Sequence, residues 1–158
     1  MDGVEVTDQR GHAYQLGPGV DARGASFSFM GHLNGVDLTG ANLSNARFAC
    51  AGLSGANIQG ANLEGADFGS ANLSQTNLVG TDLSVADFTD AILSGANLAN
   101  ANLAELDLGM ARLDGANLQE ANLKGVDLRL TGFLDSADLT GATADARTRW
   151  PVGFDPIA

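Results

Sequence analysis

The chain holds little with which to do chemistry. Its only histidines, His12 and His32, stand near the N-terminus with no ligand pattern around them, and Cys50 is its single cysteine. No metal centre is expected, and no disulfide can form within the chain. Cys50 reads as a small residue at an outward position rather than as a reactive thiol. There is no Ser, His and Asp set, no metal-ligand cluster and no phosphate-binding glycine loop, so neither an enzyme nor a cofactor is expected. No apolar run approaches the roughly 20 residues of a membrane span. The opening residues, Met1 to Val6, lack the basic stretch followed by an apolar one that marks a leader. The expectation is a cytoplasmic protein with no membrane attachment. Aromatic residues make up 6% of the chain and charged residues 17%, which is low for a globular domain, yet the apolar residues recur too regularly for disorder.

That regularity is the main content of the sequence. From Leu33 to Phe133 a large apolar residue occupies every fifth position, 21 times in succession. Two residues before each stands a small one, usually alanine, as at Ala41, Ala46, Ala51, Ala56 and Ala61, and between them usually Asn or Asp. Steps of five rotate by about 140° around a helix and alternate between the faces of a strand, so neither element buries these residues together. A coil that turns a corner every five residues does, with the large and small residues inward and the others outward. Such coils bury a core only by stacking.

A second period gives the number of sides. Phe48, Phe68 and Phe88 are 20 residues apart, as are Asp67, Asp87, Asp107 and Asp127, and as are Asn57, Asn77, Asn97 and Asn117. Four sides per turn place each set in one column, with the Phe rings stacked inside. Residues 1–24 carry no period and read as an N-terminal lead-in, 25–139 as the repeat, and 140–158 as a C-terminal cap. Tyr14 is a candidate to cover the first coil, where an open end would offer unpaired strand edges. After Phe133 the register slips by one, and Ala137, Asp138 and Leu139 resume it. Trp150 and Phe154 read as a cover over the last coil, with an aromatic binding site as the alternative.

The repeat, written Ala41-Asn42-Leu43-Ser44-Asn45, Ala61-Asn62-Leu63-Glu64-Gly65 and Ala116-Asn117-Leu118-Gln119-Glu120, resembles the bacterial pentapeptide-repeat family. The resemblance implies an all-β fold, a right-handed quadrilateral parallel β-helix (solenoid), here of about six four-sided coils with N- and C-terminal caps. It also implies a non-enzymatic interaction protein. The best-understood members are similar acidic rods that bind the type II topoisomerases DNA gyrase and topoisomerase IV as DNA mimics, protecting them from quinolones or toxins. This chain lacks the protruding loop that some of them use, and its tail is more like those of general bacterial and cyanobacterial repeats.

Two features are candidates for function. Residues 48–111 contain no cation but hold Glu64, Asp67, Asp82, Asp87, Asp90, Glu105 and Asp107, within a chain of formal charge −11. One reading of the Asp67, Asp87, Asp107 and Asp127 column is that each carboxylate accepts backbone N–H groups at its own corner. Another is that the column, with Asp90, Glu64 and Glu105, is a negative surface for a basic groove, imitating duplex phosphate and binding no nucleic acid itself. Calcium ranks below both, because converging oxygen ligands are missing. The second feature is apolar. Met110 and Leu130 fall at an outward position, with Leu134 nearby at the slipped register, and read either as a contact surface, for a homodimer through the C-terminal coils or for another protein, or as scattered surface apolar residues.

Overall fold

The computed structural model describes residues 3–132 and 134–154, so Phe133, the last expected centre, lies outside them. The chain opens with a hairpin of β1 (Val4–Thr7) and β2 (Ala13–Leu16), paired antiparallel with Val4 opposite Leu16 and Thr7 opposite Ala13. Asp8 fastens its loop. One carboxylate oxygen accepts the N–H groups of Arg10 and His12, each at 2.9 Å, and the other accepts that of Ser26 in the first coil at 3.3 Å.

Beyond the hairpin the expected four-sided stack is present. Parallel bridges join residues 20 apart: Asp37, Asn57, Asn77 and Asn97 on one side, Asp82, Asn102 and Asn122 on another, and Arg47, Asp67 and Asp87 on the Phe side. The described centres from Leu33 to Leu128 are buried, each contributing about 1.5–3 kcal/mol if fully removed from water. The stack extends further than the sequence boundaries allowed. Asp21 already bridges Asn42, inside the segment read as lead-in, and Thr143 and Arg149 bridge Asn122 and Asp127, inside the segment read as cap. Register slips of one or two residues hid these rungs from a strict period of five.

Corners follow from backbone conformation. The fifth residue of most segments is left-handed, with φ of 70° at Gly55 and 57° at Cys50, as the third position of a type II turn requires. Val85 is not among the left-handed residues. A β-branched side chain resists that conformation, and the corner is displaced: Gly65 N–H donates to Val85 O, whereas Gly55 N–H donates to Ser74 O, 19 residues on. Nearby Ala86 is only partly buried. Among the described residues the ladders are interrupted between Asn62 and Asp82 and between Asp87 and Asp107. The Thr81 hydroxyl is buried there with no hydrogen-bond partner, at a cost of roughly 1–3 kcal/mol.

At the C-terminal end the slipped register becomes a 3-10 turn, Leu134–Ser136, which swings Leu134 onto the core. The expectation of Leu134 as an outward contact is therefore corrected: the inserted residue is absorbed by the turn, and the side chain is buried. Asp145 pins the final turn. Its Oδ1 accepts the N–H of Gly125 at 3.1 Å and of Arg147 at 2.9 Å, and its Oδ2 meets the Arg147 guanidinium.

Two expectations follow. Ala96 is fully buried at a small-residue position, so Ala96→Leu overpacks the interior at about 1–3 kcal/mol and melts several degrees early; a melting temperature at or above wild type would place Ala96 outside the core. Desolvation raises the Asp145 carboxyl, but the Arg147 side chain and the N–H groups of Arg147 and Gly125 outweigh it and hold it at about 2, below the ordinary 3.8. Its stabilising effect is present above the ordinary value and is lost as pH falls through the folded one. Melting curves of wild type and Asp145→Asn should differ at pH 6 and converge as pH falls from about 4 to about 2.

Candidate functional site

The outward column of the Phe side reads Arg47, Asp67 and Asp87, then Asp107, Asp127 and Arg149. Each aspartate caps its own corner: Oδ1 of Asp67, Asp87, Asp107 and Asp127 accepts the N–H two residues on at 2.9, 2.8, 2.9 and 3.1 Å. Asparagines do the same elsewhere, Asn77 accepting from Val79 at 3.2 Å and Asn117 from Gln119 at 3.0 Å. Asparagine also donates to the coil below. Asn77 Nδ2 reaches Asn57 Oδ1 at 2.9 Å, and Asn122 Nδ2 reaches Asn102 Oδ1 at 2.8 Å. A carboxylate has no N–H to give. Stacked aspartates thus forgo the ladder and face like charge at the coil spacing. Corner capping accounts for the acceptor but not for the charge, since Asn supplies the same acceptor with an added bond.

Cations bracket this column rather than line it. Asp127 is held by Arg129, with Oδ2 2.6 Å from the guanidinium, and Arg149 lies 3.8 Å away. The Arg129 hydrogen bond, followed by its N–H, lowers the Asp127 carboxyl to about 2. Glu105 pairs with Arg147. Among the described residues Asp67, Asp87 and Asp107 enter no ion pair. The fold brings the expected acidic set to one side, with Glu64 and Glu105 at the corner before the Phe side and Asp90 at the corner after it. Asp90 Oδ1 accepts the Met110 N–H at 2.8 Å. Asp82 belongs to the preceding side, where it accepts from Asn102 at 3.0 Å and from the Ser84 hydroxyl, which lowers its carboxyl.

The bracketing arginines were not among the expected site residues. Arg47 was readable, 20 residues before Asp67, whereas Arg149 lies 22 after Asp127, beyond the register slip. Beneath the column Phe48, Phe68 and Phe88 stack with centroids 5.0 Å apart. Phe27 and Tyr14 extend the column, at 5.1 Å and 5.4 Å. Trp150 and Phe154 stack on each other at 5.4 Å and pack against the core from the other end. Met110 and Leu130 are exposed, at 65% and 70%. Among the described residues no group of three or more His, Cys, Asp or Glu is placed to hold a metal ion, and no helix is long and apolar enough to cross a membrane.

Among solved structures, similarity is found to Rfr23, a pentapeptide repeat protein from the cyanobacterium Cyanothece 51142, at 29% identity over 84% of this chain and 89% of that one, with a TM-score of 0.46. A pentapeptide repeat protein from Nostoc Pcc 7120 is 33% identical over 63% of this chain and 77% of that one, with a TM-score of 0.33. A trypsin-treated form of QnrB1, a plasmid-mediated fluoroquinolone resistance protein, is 19% identical over 82% and 92%, with a TM-score of 0.46. No curated protein matches. The family model described as Pentapeptide repeats matches in 8 copies across residues 32–65, 66–103 and 96–131. Those residues are the ones whose segments stack at a spacing of 20, and the chain belongs to the pentapeptide repeat family.

Proposed function

We propose that the chain is a non-enzymatic interaction protein, a right-handed quadrilateral β-helix of about six capped coils, whose acidic side occupies the DNA-binding groove of a type II topoisomerase. DNA gyrase is the first candidate and topoisomerase IV the second; shielding from a quinolone or a toxin would be the consequence. The observation that carries this reading is the unpaired column of Asp67, Asp87 and Asp107, where the corner needs an acceptor and the chain supplies a charge. Asp90 and Glu64 widen the surface; Asp127 and Glu105 are already engaged by arginine and contribute less. Coils about 4.8 Å apart give a sparser charge than the duplex, which carries one per about 1.7 Å of axis. Binding should therefore be weak and strongly salt-dependent. Fold alone does not select this partner. A second reading rests on exposed Met110 and Leu130, which suit a scaffold for another protein whose binding tolerates salt.

The test is a gyrase supercoiling assay at low and moderate salt. Wild type should inhibit, more at low salt. The triple variant Asp67→Asn, Asp87→Asn, Asp107→Asn should lose at least tenfold in potency while its melting temperature holds or rises, because Asn preserves each corner acceptor and removes the like charge. Asp127→Asn should stay close to wild type. Undiminished inhibition by the triple variant would reject the acidic side as the contact.

A further inference from the structure

The four edges of the rod are built differently. Glycine shares the left-handed corner position with polar residues on three edges: Gly55, Gln75 and Gly95 on one, Gly40, Gly60, Gly80, Asn100 and Glu120 on a second, and Asn45, Gly65, Glu105 and Gly125 on a third. The edge that follows the Phe side carries Phe29, Cys50, Ser70, Asp90, Met110 and Leu130 in successive coils, with no glycine at that position. Phe29, Cys50, Ser70 and Asp90 have φ of 61°, 57°, 55° and 59°, where a Cβ is strained and glycine is not. In the Met110 coil the left-handed residue is Gly109, one position earlier. Phe29, Met110 and Leu130 are also among the most exposed large apolar residues, at 73%, 65% and 70%. What sets this edge apart is its exposed apolar side chains, which bring nothing to the interior and face outward.

We propose that this edge pairs with the same edge of a second copy running antiparallel. A two-fold axis perpendicular to the rod, passing between the levels of Ser70 and Asp90, sets Phe29 against Leu130 of the second copy. It sets Cys50 against Met110, and Ser70 against Asp90. Apolar groups meet apolar groups at both ends, and at the centre the Ser70 hydroxyl donates to the Asp90 carboxylate, each contact occurring twice as an isologous interface requires. A parallel copy would instead bring Asp90 against Asp90. Leu134 is buried and takes no part, while Phe29 joins from the opposite end of the rod. This symmetry keeps both Phe sides on one side of the pair. The edge spans about 24 Å at about 4.8 Å per coil and is narrow, so it buries less than the roughly 1,600 Å² of a standard interface. The dimer is weak, and since each copy carries −11, salt strengthens it. Salt would weaken contact between the acidic side and a basic groove, so the two surfaces respond oppositely.

Sedimentation and a short bismaleimide test the proposal together. Across this axis the two Cys50 residues stand about 14 Å apart along the rods, three coils at about 4.8 Å, beyond the linker, whereas Cys50 and position 110 of the second copy are level. Met110→Cys should yield cross-linked dimer and wild type should not. Phe29→Ser combined with Leu130→Ser should weaken dimerisation at least tenfold, and neither side chain supports the core. Cross-linking of wild type would overturn the antiparallel register. A dimer indifferent to Phe29→Ser and Leu130→Ser would overturn the edge as the interface. A chain monomeric at every concentration and salt would overturn self-association and leave the edge to a different protein.

Discussion

The backbone hydrogen bond from each coil to the next fixes everything else in this rod. It sets one spacing, and all side chains must live with it. Inside, Phe48, Phe68 and Phe88 stack at 5.0 Å, with planes 2° and 20° apart, closer to parallel than the edge-to-face geometry that free rings often adopt. The strand spacing dictates that arrangement. Outside, the same spacing lets an asparagine amide reach the asparagine below and obliges aspartates to repel. One dimension, imposed by main-chain bonds, makes amide columns adhesive and carboxylate columns costly.

That uniformity explains how much could be read from the residues alone. The large centres, the inward alanines, the four sides and the Phe and Asp columns were legible because each coil repeats the chemistry of the last, so a period in sequence is a column in space. The ends were not. Asp21, Thr143 and Arg149 join the ladders across irregular spacings, and the burial of Leu134 depends on a 3-10 turn that only the stacked coils make favourable. The pairing of Arg147 with Glu105 spans 42 residues, two coils and a slip, and no local pattern announces it. Tyr14 lay within reach of the sequence; its edge-to-face contact with Phe27, interplanar angle 74°, did not.

Asparagine would serve every corner that aspartate serves here, and the other sides show it doing so. The Phe side departs from that economy at Asp67, Asp87 and Asp107. The charge there is one that the corner itself does not require. Arginines at Arg47, Arg129 and Arg149 confine the charge to the middle of the side, which gives the negative surface defined ends.

The displaced corner at Val85 has a bearing on that surface. In a stack whose stability is close to a sum over neighbouring coils, missing rungs and an unsatisfied Thr81 hydroxyl leave the coils around Val85 less firmly joined than fully bridged ones. One gap lies between Asn62 and Asp82, beside Thr81, and the other between Asp87 and Asp107, one coil further along, while Asp67–Asp87, Asn72–Ile92, Asn77–Asn97 and Asp82–Asn102 are bridged between them. Each of these junctions lacks a rung on one side and keeps its bridges on the others, over one continuous core. On the acidic side the second gap separates Asp87 from Asp107, neighbouring aspartates that, among the described residues, no bridge joins.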